Sequence, residues 1–448
     1  MSTSLTPTLA VMKIPWDRKR NTLQRSFPQQ PFVGNTDDRL SSSCKTASLF
    51  RRSALAWYSG RLDAGLRYAA AAAARGCEEG HEFCELTPFW HIALLTKARD
   101  FGTALQAIDL LGNRRDRSES QLMTATSLII RGELLFVMGC VDEGLAEVDA
   151  GLRLAEGHDA RSLLPTGYVV MATAALRRAD MRTCLHYVDK LTGEALLGYF
   201  GQAAGAWVTA QAAEARGGVD RAADLVAGIV ANDVVLHQLL VSEPAAASWL
   251  VRAARALGAD DVAETAVRAA CATSEEQPEF SVLRGAALHA AGLLEEDAGK
   301  LHEAANTYLD RWCGASVRED LAGLLSKRRS ERNNVISTLE SALSTYTAVG
   351  AARDASRVAN KLRNYGVRRG VSRTVEREGH LPHGLTNTEF AVAELVSQGY
   401  TNNEVGRQLF ISRHTVAFHL KKVYQKMNLT SRVELAAKWK AMQWRHEP

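Results

Sequence analysis

Gly399-Tyr-Thr-Asn-Asn-Glu-Val405, followed by Ile411-Ser-Arg-His-Thr-Val-Ala-Phe-His-Leu420, reads as two short helices joined by a tight step. Thr401 and Glu404 have the spacing of a capping box, in which the hydroxyl accepts from a free N–H of the first turn and the carboxylate reaches back to the cap residue. The same spacing recurs at Thr386 and Glu389 and at Ser431 and Glu434, and Ser412 is a further cap residue without the acid. Each such cap contributes about 1 kcal/mol. These start signals predict four short helices, with Gly399, the Phe410-Ile411 step and Asn428 as the stops between them.

Apolar residues follow helical spacing through the same region: Val392, Leu395 and Val396; Val405 and Leu409; Val416, Leu420, Val423 and Met427; Val433 and Ala437. They predict one small core closed by Leu385, Ile411 and Leu429. The third helix then keeps Arg413, His414, Ala417, Phe418, Lys421, Lys422 and Lys426 on its outer face. A short helix with a basic outer face, following another across a tight turn, is the helix-turn-helix arrangement. Such a helix fits the major groove of B-DNA, where the base edges carry a sequence code.

Leu385-Thr386, Glu389, Gly399, Thr401-Asn402, Glu404-Val405, Leu409, Ile411-Ser412, Thr415-Val416, His419, Lys426-Met427 and Ser431-Arg432 resemble the signature of LuxR-type C-terminal domains. The resemblance covers about one seventh of the chain. It implies a scaffold helix over 401–409, a recognition helix over 412–427 and a helix used for dimer contacts over 431–440. It further implies base reading by Ala417, Phe418 and Lys421, and DNA-backbone contact by Thr401, Asn403, Ser412, Arg413, Thr415, Lys422 and Lys426. Many members of that family carry Lys or Arg where Ala417 stands, so apolar contact, for instance with a thymine methyl, is expected there. His419 is expected to be a structural, hydrogen-bonded residue.

Upstream, Arg368, Arg369, Arg373 and Arg377 lie among Gly370, Gly379, Pro382 and Gly384, which reads as a basic linker: either a solvated tether or a further phosphate contact. From about Ala47 to Tyr365 the chain is rich in helix-forming Ala, Leu, Arg and Glu, with proline only at Pro88, Pro165, Pro244 and Pro278. A turn motif repeats. Gly60-Arg-Leu-Asp-Ala-Gly-Leu66, Gly139-Cys-Val-Asp-Glu-Gly-Leu145, Gly217-Gly-Val-Asp-Arg-Ala-Ala223, Gly258-Ala-Asp-Asp-Val-Ala-Glu264 and Gly299-Lys-Leu-His-Glu-Ala-Ala305 mark the strong copies. Weaker copies near Asp100 and Ala179 complete a spacing of about 40 residues, with a last degenerate copy near Glu331. In each the glycine ends one helix in the left-handed conformation. Asp63, Asp142, Asp220 and Asp261 then sit in the first turn of the next, where negative charge suits the helix dipole. Ala64, Gly144 and Ala222 allow close helix approach, and the Ala69–Ala74 run marks a crowded helix contact.

The expected fold class is therefore all-α: a helical-hairpin solenoid resembling the tetratricopeptide (TPR) class, with units longer than the usual ~34 residues, followed by the four-helix domain. Such a solenoid leaves a concave groove. The expected organisation is a disordered tail over 1–45 containing Arg18-Lys19-Arg20, a repeat domain over 46–365, a basic linker over 366–383 and the DNA-binding domain over 384–448. The stretches Arg284-Gly-Ala-Ala287, Ala315-Ser-Val-Arg-Glu-Asp-Leu321, Gly350-Ala-Ala-Arg-Asp-Ala-Ser-Arg-Val358 and Tyr365-Gly-Val-Arg-Arg369 resemble the region before the DNA-binding domain in large ATP-binding LuxR regulators of actinobacteria. No GxxxxGK[ST] occurs; the lone Gly-Lys step is Gly299-Lys300. The resemblance implies a member without its own ATPase, or a truncated one.

Composition agrees. The chain has 448 residues, 46% hydrophobic and 23% charged, and no apolar run approaches the ~20 residues that span a bilayer. With no signal peptide read at Leu9–Met12, a cytoplasmic, nucleoid-associated location is expected. The net charge of +4 divides into +8 from Lys361 onward and −4 before it, so a polyanionic partner is expected for the C-terminal part alone. Double-stranded DNA, a second copy of the chain through 431–440 or the helical body, and a small-molecule or protein ligand in the repeat groove are the partners expected. Seven scattered cysteines without a CxxC pair read as reduced thiols. His91, His186, His237, His289 and His302 stand alone in helical contexts. With no nucleophile elbow, ligand cluster or phosphate loop, no enzyme, metal or cofactor is expected. The competing reading is an interaction scaffold with a vestigial DNA-binding domain.

Overall fold

The computed structural model describes residues 44–75, 85–113, 121–157, 164–194, 199–327, 331–367, 385, 387–409 and 413–443. Residues 1–43 of the tail expected over 1–45, the linker arginines, Cys77, Cys84, Thr386 and the Phe410–Ser412 step lie outside them, while Cys44 and Lys45 already open the first of the described helices. Among the described residues there are helices and turns and no strand.

The body is a chain of antiparallel helices: α1 (Lys45–Tyr58), α2 (Leu62–Arg75), α3 (Thr87–Ala98), α4 (Phe101–Asn113), α5 (Gln121–Met138), α6 (Val141–Gly157), α7 (Leu164–Arg177), α8 (Met181–Glu194) and α9 (Tyr199–Gly217). A 3-10 turn (Val219–Ala222) leads into α10 (Ala223–Val230), α11 (Asp233–Ser242), α12 (Ala246–Ala256), α13 (Asp260–Glu276), α14 (Ser281–Leu294), α15 (Ala298–Thr307), α16 (Arg311–Leu325), α17 (Arg332–Ala348) and α18 (Ala352–Asn364).

The repeat is set by its left-handed turns, which fall at Gly60, Arg99, Gly139, Ala179, Gly218, Gly258 and Glu296, at intervals of 38 to 40 residues. Most close the same way. After α5, for example, Gly139 N–H donates to the Phe136 carbonyl (3.1 Å) and Cys140 N–H to that of Leu135 (2.9 Å), the paired bonds of a Schellman cap. Three expectations shift. The turn read at Gly217 pivots on Gly218 instead. The turn read at Gly299 pivots on Glu296, while Gly299 lies inside α15, whose cap is Asp297 accepting from Gly299 and Lys300 N–H (2.7 and 3.2 Å). The last turn falls at Gly350, and Glu331 merely precedes α17. The helix pairs pack closely at small residues, as expected of Gly144: a Cβ there would lie 2.7 Å from the Gly132 carbonyl. Ala69 and Ala72 of the alanine run are fully buried.

Among the described residues one helix, Gln121–Met138, is long and apolar enough to cross a membrane by length and composition alone. It lies against α6, carries Arg131 and Glu133, and takes Glu133 into a buried ion pair with Lys97.

The expected open groove is largely closed. Contacts cross from early repeats to late ones. Leu62 N–H donates to Gln277 Oε1 (3.0 Å), and Arg99 pairs with Asp310 (3.4 Å). Lys97, 4% exposed at its side chain, pairs with Glu133 and Glu243 (2.7 and 2.9 Å). Burial alone would depress Lys97, but the two carboxylates outweigh it and hold the ammonium well above its ordinary range. Such buried ions persist because each has its partner; removing one leaves an uncompensated charge. A partly open cavity of about 300 Å3 remains between α7, α9, α12, α16 and α18.

Candidate nucleic-acid interface

Beyond the body, α19 (Asn387–Ser397), α20 (Asn402–Leu409), α21 (Arg413–Met427) and α22 (Arg432–Gln443) enclose a separate core. The expected core residues Leu385, Val392, Leu395, Val396, Val405, Val416, Leu420, Val423 and Met427 are buried, with Leu409 and Leu429 packed at its edge. The fourth helix differs. Leu435 and Trp439 fill the core, Trp439 lying against Phe390 with ring centroids 5.0 Å apart. Val433 and Ala437 face outward, Val433 being 78% exposed. Two residues of offset is about 200° around a helix, hence the opposite face.

Local chemistry fixes the four helices. The Thr401–Glu404 capping box is formed in both directions: Glu404 N–H donates to Thr401 Oγ1 (3.3 Å), and Thr401 N–H to Glu404 Oε2 (2.8 Å). At α22, Glu434 N–H donates to Ser431 Oγ (3.2 Å), while the Glu434 carboxylate accepts from Thr430 N–H (2.7 Å), one residue further back. That bond is the first cause of its lowered pKa. Gly399 and Asn428 take the left-handed conformation and stop α19 and α21 as expected. Lys438 Nζ donates to the last carbonyl of α21, at Met427 (2.7 Å), which suits the negative end of the dipole.

The outer face of α21 is open. Arg413, Ala417, Phe418, Lys421, Lys422 and Gln425 are exposed, and the helix contains no acidic residue. Phe418, 56% exposed, is an apolar ring left in solvent with the Lys422 ammonium 4.7 Å from its centroid. Thr401 and Asn403 are also exposed, at the start of α20. Ser412 and the side chains of His414 and Thr415 are outside what is described. Lys426 pairs with Glu389 (2.6 Å), a carboxylate buried to 4% at its side chain, which fastens α21 to α19. His419 is half-buried, and its Nδ1 finds no hydrogen-bond partner among the described residues. Burial lowers its pKa, which keeps the imidazole neutral.

The model of the bacterial regulatory proteins, luxR family, matches residues 383–438. Residues 383–438 are a LuxR-family domain. The stretch is 49% identical over 51 residues, 11% of this chain, to HTH-type transcriptional regulators of Mycobacterium bovis and Mycobacterium tuberculosis. It is 37% identical over 60 residues, 13% of this chain and 28% of the relative, to the transcriptional regulatory protein LiaR of Bacillus subtilis. The match spans only 6% of the length of the mycobacterial relatives. Among solved structures, a Rap protein complexed with competence and sporulation factor aligns with 72% of this chain and 97% of its own, at 12% identity and a TM-score of 0.43.

Two features of the LuxR-type domain left no mark that the sequence reading caught. Arg432 ties α22 to the scaffold helix, donating to Asn402 Oδ1 (3.3 Å) and to the Tyr400 carbonyl. Tyr400 itself packs against both this core and the core of the body, and α20 rests on α9 and α18. A lone tyrosine after Gly399 gives no sequence sign of a contact with helices far upstream.

Proposed function

We propose that the chain is a sequence-specific transcriptional regulator in which α21 enters the major groove. The observation that carries this is the outer face of α21: exposed, cationic, free of acids, and held on a packed helix-turn-helix core. Ala417, Phe418 and Lys421 face the base edges. Ala417 and Phe418 offer apolar contact, and Lys421 offers a donor to guanine O6 or N7. Thr401, Asn403, Ser412, Arg413, Thr415, Lys422 and Lys426 face phosphates, which set register without reading sequence. Lys426 reaches a phosphate by leaving, or sharing, its pair with Glu389.

The division of labour proposed is a repeat body over 46–365, a linker over 366–383 and the DNA-binding domain over 384–448, with the body as sensor or protein-interaction module and no catalytic step. Val433 and Ala437, outward on α22, support a dimer contact within 431–440. Two copies then read half-sites one helical turn apart, about 34–36 Å, or a multiple of that. The location proposed is the cytoplasm, on the nucleoid.

Selection of bound duplexes from a random pool, followed by gel shift at two salt concentrations, tests the reading. The expected result is one enriched, two-fold symmetric motif, bound more tightly than random duplex and weakened by salt. Retention of no duplex at either salt concentration would overturn it.

A further inference from the structure

The cavity left by the closure of the body is lined by charged residues and two indoles, and its charges are unevenly matched. Every carboxylate on its wall is already engaged. Glu214 accepts from the Trp249 indole N–H (2.8 Å). Glu319 is held by Arg357 and Lys361 (2.6 and 2.8 Å), Asp320 by Arg252 and His289, and Asp354 by Arg357 (2.7 Å) and the Trp312 indole (3.0 Å). Those bonds commit Arg252, Arg357 and Lys361 in turn.

Arg177 is different. Its guanidinium carbon lies 4.1 Å from the centroid of Trp312 and 5.1 Å from that of Phe136; among the described residues no carboxylate forms an ion pair or hydrogen bond with it, and Glu243, whose charge it favours from a distance, is itself paired with Lys97. The five N–H donors of a guanidinium lie in its plane, so a ring stacked on its carbon leaves those donors for another partner. Arg353 lines the same wall, and burial depresses it below the ordinary guanidinium value, so an added anion nearby would stabilise its charged form. Counting the lining, Arg177, Arg252, Arg353, Arg357 and Lys361 stand against Glu214, Glu319, Asp320 and Asp354, an excess of one positive charge. A volume of about 300 Å3 admits a small organic molecule.

We infer that this cavity is a binding site for a small organic anion, a carboxylate or phosphate on an apolar body, with Arg177 taking the anionic group and Trp249 and Trp312 flanking the rest. This rests on the reading of the body as a sensor and gives that sensor a ligand class. Its position has a consequence. α9 and α18, which supply Glu214 and Arg353 to the wall, are also the helices on which the scaffold helix α20 rests.

Calorimetric titration of the full chain with benzoate, phenyl phosphate and benzamide tests the site. At least one anion should bind saturably at one site per chain, about tenfold or more tighter than the neutral amide, and which one does so separates a carboxylate from a phosphate ligand. Arg177→Gln should reduce that anion to the level of benzamide. Gln211→Glu, near-isosteric and on α9, should also weaken the anion while leaving benzamide unchanged; it keeps the test open should Arg177→Gln unfold the body. Neither anion exceeding benzamide, or an anion affinity unmoved by a folded Arg177→Gln, overturns the inference. Gel shift on the same samples separates the two readings: duplex binding without anion binding removes the site alone, and anion binding without duplex binding removes the regulator reading alone.

Discussion

The body and the LuxR-type domain handle charge in opposite ways. In the body, ions go inside and are matched between helices: Lys97 with Glu243 and Arg99 with Asp310 across distant repeats, Lys97 with Glu133 and Glu319 with Arg357 and Lys361 across neighbouring ones. In the C-terminal domain the core is apolar, the one buried acid among the described residues, Glu389, is matched by Lys426, and Lys421 and Lys422 of α21 are exposed. Buried pairs are specific and costly to break, so they fix one closure of a solenoid that stacking alone would leave open. Exposed cations cost little to hold and keep their charge for a polyanion, whose condensed counterions they release on binding.

The largest expected effect comes from separating the two. Removing residues 385–448 should abolish duplex retention in gel shift and leave a folded helical body by circular dichroism. A truncated body that still selected one sequence would break the comparison outright.

Next in size is the interior of the body. Burial would raise the Glu319 carboxyl, but Arg357, then Lys361, hold it far below the ordinary glutamate value of 4.5. Glu319→Ala should cost about 3 kcal/mol in urea unfolding, the low end for a broken buried pair because Arg357 and Lys361 still reach solvent. The sign with pH follows from a depressed acid. The stabilisation is full above pH 4.5 and drains away as pH falls below it, so the gap between parent and variant should narrow on acidification. Duplex binding at neutral pH should be untouched wherever the variant is folded; a gap that widens in acid would show that the pair is not what stabilises the packing of α16 on α18.

On the outer face of α21 the expected effect is smaller and falls on recognition. Lys421→Ala should weaken the selected site by about 1–3 kcal/mol and relax preference at one base position. An equal loss on every duplex would assign Lys421 to phosphate and leave base reading to Ala417 and Phe418.

How much of this was legible follows from how local each feature is. The capping box at Thr401 and Glu404, the stop at Gly399 and the repeat turns at Gly60, Gly139 and Gly258 are written in neighbouring residues, and each stands where the sequence puts it. The copies near Asp100 and Ala179 read weakly because Arg99 and Ala179 themselves take the left-handed turn, which a residue with a Cβ seldom does. The copy read at Gly299 was misplaced for the same reason, with Glu296 at the turn and Gly299 a tempting substitute. Closure of the body was not legible. Arg99 and Asp310 meet across more than half the body, and neither carries a mark naming the other. The cavity, a product of that closure, was legible only as an open groove.

The smallest expected change in stability concerns the one place where helical phase was misread. Val433 and Ala437 have the spacing of a core pair, yet Leu435 and Trp439 are larger and bury more apolar area, so α22 turns them inward. Val433 is thereby left outside at a real cost in exposed apolar surface, which a second copy of the domain would recover. Val433→Ser should therefore leave the unfolding free energy of a monomeric domain within about 0.5 kcal/mol of its parent, as for other surface changes. It should weaken self-association by sedimentation and, with it, binding to a two-half-site duplex more than to a single half-site. Leu435→Ala is the contrast on the inward face, expected to lose about 2–5 kcal/mol with or without a partner. If Val433→Ser left both association and two-site binding unchanged, the dimer would have to be held by the body instead, and the outward face of α22 would be ordinary surface.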